Sequence, residues 1–405
     1  DHIREAALEG IKQQKAEIQA IANSKKKPTF ENTVAAIDRS GQLLNKVLMV
    51  FYPLTSSNSN NEYRALEKEL SPILTRNSDD INLNPRLFAR VKAVYLNKKE
   101  QAKLNHEQRS LLEKTYKSFV RSGANLNDAQ KEELRKLNTE LADLQLKFTQ
   151  NLMFETNQTF VTVDRLDDLK GLSQDNIDRA AQLAKENGQP GKWMFNMQRA
   201  SCNPVLQYAE NRDLRRQVYL AYVNRGNQGN AYDSKEISRR IIELRIAKAK
   251  LLGQKDFASV QLETRMAKTS DAVYKLLNEV WTPAVKKANE EIADIRAEIQ
   301  REGHDFEPEG WDFMYYQSKA KQAKYAVDEE AVSEYFEASK VLQCGFYTAN
   351  KLYGITFKER TADYPAYEPT AQAWDVIDKD GKLLAIFYSD YQPRDGKRAG
   401  AWCTS

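Results

Sequence analysis

Apolar residues recur at steps of three and four along most of this chain and alternate only in a few short stretches. Ile3, Leu8, Ile11, Ile18 and Ile21 keep a roughly helical spacing, which Pro28-Thr29 then breaks. Thr29 is placed to cap a second helix, with Glu31 in its first turn and Val34, Ile37, Leu44, Val47, Leu48 and Phe51 along one face. Pro53 is expected to end that helix, and the polar run Ser56-Ser57-Asn58-Ser59-Asn60-Asn61 to form a loop before another helix from Glu62. The clearest helix follows Asn127, which has Gln130 three residues on, a capping-box pair. Leu134, Leu137, Leu141, Leu144 and Phe148 then form one stripe, suited to pairing with a neighbouring helix rather than to a cofactor groove.

Phe160-Val161-Thr162-Val163 and Trp193-Met194-Phe195-Asn196-Met197 read as strands bracketing a helix from Ser173 to a stop at Gly188. Asn203-Pro204 reads as an N-cap and first helical residue, after which the chain is predicted helical almost without break to Leu252, with Gly253 at C′. A long helix is predicted from a Ser270 cap to Ile299, kinked at Pro283, and two more on either side of Asp328, the second closed by Gly354. Trp374 to Ile377 and Leu383 to Tyr388, about the turn Asp378-Lys379-Asp380-Gly381, predict a hairpin, and Gly400 to Thr404 one further strand. The expected class is therefore mainly α, with small β elements near 160–197 and 374–404. A strand needs partners for its backbone N–H and C=O groups, so a chain that stops inside one is expected to be part of a larger functional unit.

Composition narrows the class further. Hydrophobic residues at 41% and charged residues at 29% describe an ordinary globular chain, and no apolar run approaches the roughly 18 residues of a membrane span. A net charge of +4 from 61 basic and 57 acidic residues gives no electrostatic footprint for nucleic acid. The residues from Asp1 onward show no basic-then-apolar run, which leaves the compartment open between cytoplasm and periplasm for a soluble protein. Cys202, Cys344 and Cys403 are widely spaced and odd in number, so they read as small buried hydrophobes rather than as a disulfide framework or zinc pair.

Candidate chemistry is sparse. His2, His106 and His304 lie far apart on different predicted elements, and none forms the H-x-x-x-H pair that puts two rings on one helical face. There is no G-x-S-x-G elbow, and Asp395-Gly396-Lys397-Arg398-Ala399-Gly400 lacks the order of a phosphate-binding loop. No catalytic residue and no metal ligand is assigned. Gly400 and Ala401 keep a functional reading, because small residues let another backbone approach and pair as an added strand.

Taken as a set, the residues carry a resemblance. Pro28-Thr29-Phe30-Glu31-Asn32-Thr33-Val34 with Asp38-Arg39-Ser40-Gly41 closely resembles the N-terminal signature of the thimet oligopeptidase and peptidyl-dipeptidase family of zinc metallopeptidases. Further matches are Leu112-Glu113-Lys114-Thr115-Tyr116 with Arg121-Ser122-Gly123-Ala124, Asn211-Arg212 with Asn224-Arg225-Gly226, and Leu244-Arg245 with Leu251-Leu252-Gly253. Arg265-Met266-Ala267, Trp311-Asp312 with Tyr315-Tyr316, and Phe387-Tyr388-Ser389-Asp390 with Arg394 to Arg398 complete the set. The resemblance implies a two-lobed, multi-helical peptidase, monomeric, acting on short unstructured peptides and releasing C-terminal dipeptides. It also implies a helical domain over 1–200 and the first part of the catalytic domain over 201–405. The family's zinc sits on H-E-x-x-H plus a downstream Glu, absent from this sequence, so the parent protein is expected to hold zinc and this chain alone to hold none and to be inactive. Gly400 and Ala401 match the family's substrate-facing edge strand. Where many members read Tyr-His-Pro, this chain reads Tyr367-Glu368-Pro369. The rival expectation is a non-catalytic helical scaffold or peptide-binding protein of the same shape.

Overall fold

The computed structural model describes residues 2–326, 329–398 and 400–404. It is mainly α, and the described residues form one two-stranded and one three-stranded antiparallel sheet. The chain divides into two compact units, one made of Asp1–Phe154, Gly226–Trp281 and Gly400–Ser405, the other of Glu155–Arg225 and Thr282–Ala399.

In the first unit the His2–Ala22 and Gln42–Ser57 helices bury Ala7, Ile11, Leu44 and Phe51 together with Leu70. Their approach is close enough that a Cβ on Gly10 would fall 2.8 Å from the Leu44 backbone. Thr29 caps as its sequence predicts: its Oγ1 accepts from the Asn32 N–H at 3.2 Å, and Asn32 Oδ1 accepts from the Thr29 N–H at 3.0 Å. The helix it opens does not run on to Phe51. A π-turn over Phe30–Ala35 and a short α segment end at Gly41, whose φ of 72° is left-handed, and a new helix begins at Gln42. Pro53 does not terminate that helix, which continues to Ser57. The ring removes a single ladder donor, while the backbone beyond still bonds, Asn58 N–H to the Leu54 carbonyl at 2.8 Å.

The Asn127 capping box forms, Gln130 N–H to Asn127 Oδ1 at 2.9 Å and Asn127 N–H to Gln130 Oε1 at 3.1 Å. Of the stripe on the Asp128–Gln158 helix, Leu137, Leu141 and Leu144 pack on Ile237, Ile241 and Leu244 of Lys235–Leu251 as expected, whereas Phe148 at its far end is exposed. That second helix closes in a Schellman motif, with Gly253 N–H on the Lys250 carbonyl and Gln254 N–H on the Ala249 carbonyl. The long Ser270–Arg301 helix is capped by Thr269, one residue before the expected Ser270, through the Ala272 N–H.

In the second unit β1 (Phe160–Val163) and β2 (Trp193–Asn196) pair antiparallel around the intervening Gln174–Glu186 helix. Their core includes Val161, Phe195, Met197, Val205 and Val218. Pro204 is not at the first helical position: the helix runs Arg199–Tyr208, and the proline sits a turn inside it, where only the bond to the Ala200 carbonyl is lost. Asn211 then caps Arg212–Val223. The helix Ala338–Tyr353 ends at Gly354 with φ 74°, while Asp328 lies outside the described residues. β3 (Thr356–Glu359), β4 (Gln372–Ile377) and β5 (Leu383–Ser389) form the second sheet in that order, so the predicted hairpin is β4–β5. β3 has a single large apolar residue, Phe357, and owes its place to stacking of that ring on Phe346, centroids 4.0 Å apart.

Candidate functional site

The loop that follows β5 is held by one carboxylate. Asp390, with 8% of its side chain exposed, accepts from Arg394 Nη1 and Nη2 at 2.8 and 2.7 Å, from Lys397 Nζ at 2.9 Å and from Tyr367 Oη at 2.8 Å. Lys397 Nζ also donates to the Asp390 and Gln392 carbonyls, so residues 390–397 close around one centre. Burial alone would push the Asp390 carboxyl up. The hydrogen bonds from Arg394, Lys397 and Tyr367 outweigh it and hold the group far below the usual carboxylate range. A carboxylate so fully engaged positions a loop and is unsuited to accept a proton during catalysis. Glu368, the departure from the Tyr-His-Pro run, belongs to the same cluster, 3.6 Å from Arg394 Nε.

Behind the loop the sheet is equally fixed. Asp375 in β4 accepts from Tyr364 Oη at 2.7 Å and from Arg360 Nη1 at 3.2 Å, and Trp374 Nε1 donates to Ser389 Oγ at 3.0 Å. A cavity of about 550 Å³ opens beside the loop, with Arg394, Asn196, Gln198 and Glu186 in its wall, and Gln198 Nε2 bridges Asn157 Oδ1 and the Arg394 carbonyl.

Gly400 and Ala401 follow this loop, and both are exposed. The expected strand from Gly400 to Thr404 is absent: these residues join no sheet, and Gly400 turns through φ 107°, which breaks an extended run. A Cβ on Gly400 would meet nothing within 4 Å, so the space for an approaching backbone is open.

The resemblance motifs meet in space. Asp312 is fully buried and receives Arg212 through two bonds and Arg215 through one at 3.1 Å, while the Arg215 guanidinium lies 4.0 Å from the centre of the Tyr315 ring. In the first unit Arg90 donates to the carbonyls of Ser24 and Lys26 and to Asn32 Oδ1 and Thr33 Oγ1, locking the signature after Thr29 in place. These contacts are structural supports.

The histidines are not brought together. His106 heads the helix His106–Arg121 with Glu107 beside it, but the residue four positions on is Ser110, and the described residues contain no group of three or more His, Cys, Asp or Glu able to hold a metal. The zinc implied by the resemblance therefore does not fit the residues described. Of the cysteines only Cys202 is buried as expected, and burial pushes its thiol up to about 11; Cys344 and Cys403 are exposed. No helix among the described residues is long and apolar enough to cross a membrane.

Residues 205–405 match peptidase family M3. Over 402 residues, 99% of this chain, the sequence is 36% identical to the dipeptidyl carboxypeptidase of Escherichia coli and 37% identical to that of Salmonella typhimurium. It is 26% identical over 408 residues to oligopeptidase A of Haemophilus influenzae. The chain spans 59% of the length of each of these relatives.

Proposed function

The chain belongs to peptidase family M3, and on that premise we propose that it is a portion of a zinc metallopeptidase that removes C-terminal dipeptides from short, unstructured peptides. The observation that carries the dipeptide release is the 36% identity, sustained over 99% of the chain, to a relative named dipeptidyl carboxypeptidase. The described residues do not fit a metal, so zinc and the general base belong, in this reading, to parts of the parent protein that this chain does not contain. Residues 1–200 would then form the family's helical domain, and 201–405 the first part of its catalytic domain. Its own contribution is positional. The Asp390 cluster fixes the loop after β5, and Gly400 and Ala401 offer exposed main chain to an extended peptide, whose N–H and C=O groups would pair there regardless of side chains. A monomer in the cytoplasm or periplasm suits this activity.

Product analysis tests the reading. The parent protein is given one peptide with a free C-terminus and the same peptide amidated, and the products are identified by mass spectrometry. Stepwise loss of dipeptides from the free form alone is expected; equal cleavage of both forms, at internal bonds, would replace dipeptide release with endopeptidase action.

A further inference from the structure

The three-stranded sheet of the second unit has two unlike edges. β3, at one of them, is four residues long and carries the exposed charges of Lys358 and Glu359. Short length and charge are what keep an edge strand from pairing with further chain. β5, at the other, is the run Leu383-Leu384-Ala385-Ile386-Phe387-Tyr388-Ser389, with no charge and no proline, and among the described residues it pairs with β4 alone. Pairing on one side leaves alternate backbone N–H and C=O groups pointing away from the sheet.

The two faces of β5 differ as well. Phe387 turns toward the helix Ala338–Tyr353, its ring 6.4 Å from that of Phe346. Ile386 and Tyr388 alternate with it and lie on the opposite face. On that face the neighbouring strand is covered: Ala373, opposite Tyr388, is buried, and so is Asp375, opposite Ile386 and hydrogen-bonded by Arg360 and Tyr364. The cover thins at β5, where Leu383, Leu384 and Ile386 are 56, 56 and 44% exposed.

We infer that the outer edge of β5 is the pairing site for a further strand of the parent protein, drawn from the part that this chain does not span, with apolar side chains of that part over Leu384 and Ile386. The inference rests on the proposed function in taking the parent to be longer than this chain. The relatives give the measure: the chain spans 59% of their length, so about two-fifths of each lies outside the match. A strand of the same polypeptide meets β5 at an effective concentration of up to roughly millimolar, whereas a second copy or a free peptide must reach it by diffusion. An uncharged apolar edge left open is an aggregation site, so its sequence suits permanent pairing within one chain rather than reversible capture.

Hydrogen exchange read by mass spectrometry, on the parent protein and on the 405-residue chain, tests the inference. Amides of residues 384–388 are expected to exchange at least about tenfold more slowly in the parent, with β1 and β2, which pair with each other, as the internal reference. Ile386→Lys gives a second readout. It should leave the thermal midpoint of the chain within about 1 °C, because that side chain is already exposed, and lower that of the parent by about 3 °C or more. Equal exchange in the two proteins, or a parent indifferent to Ile386→Lys, would overturn the inference even where the parent cleaves peptides as proposed. Protection that appears only when an unstructured peptide is added would overturn it by giving the edge to substrate. A dimeric parent made monomeric by Ile386→Lys would overturn it by giving the edge to a second copy. Protection of β5 in a parent that cleaves nothing would support the pairing and count against the peptidase reading alone. If the parent variant does not fold, exchange in the two unmodified proteins still decides.

Discussion

Arg212 and Asp312, a hundred residues apart in sequence, meet through two parallel bonds, Nε to Oδ1 at 2.9 Å and Nη2 to Oδ2 at 2.7 Å. Asp312 is wholly buried, and it also carries Arg215, of which 1% is exposed. Replacing the carboxylate leaves two guanidinium groups without their counter-charge, one of them in the core. Asp312→Ala is therefore expected to destabilise the chain by about 3–5 kcal/mol in urea unfolding, and a loss below about 1 kcal/mol would show that the pair is a bystander.

The Asp390 cluster makes stability depend on pH. Its folded-state carboxyl is held below the ordinary value, so its contribution is fully present above about pH 4 and is lost as pH falls through the folded value. Unfolding measured between neutral and acid pH should show stability falling on acidification. In Asp390→Asn the part of that fall due to this group should disappear, along with about 3 kcal/mol of stability at neutral pH.

Gly10→Ala sets helix propensity against packing. Alanine in a helix interior is favoured over glycine by about 1 kcal/mol, but here its Cβ would sit 2.8 Å from the backbone of Leu44, which cannot rotate away. Net destabilisation of about 1–3 kcal/mol is expected. A rise in thermal midpoint would contradict the close approach of the two helices.

Thiol accessibility separates the cysteines. Cys344 and Cys403 should react promptly with a thiol reagent in the native protein, whereas Cys202, buried and with its thiol pushed up to about 11, should react only after unfolding. Prompt reaction of all three would show that the core around Val205 is open.

Local rules made much of this fold legible. The Thr29 and Asn127 caps, the Gly253 stop and the β4–β5 hairpin depend on neighbours within a few residues, and each forms as the sequence predicts. Misreadings came where tertiary packing outweighs a local signal. Pro53 and Pro204 stay inside helices, and Gly41 splits a continuous apolar face into two. The site was legible only in part. Asp390, Arg394 and Lys397 stood out as a motif, but nothing in their spacing shows that all three close on one carboxylate.

The most direct measurement compares hydrolysis of one unstructured peptide by the zinc-loaded parent protein and by this 405-residue chain, its mass verified, with an equivalent of zinc added to both. Cleavage by the parent and none by the chain is expected on the proposed reading, since the described residues contain no group of three or more His, Cys, Asp or Glu able to hold a metal. Cleavage by the chain alone, or none by the parent, would contradict a peptidase whose supporting residues lie here and whose metal lies elsewhere.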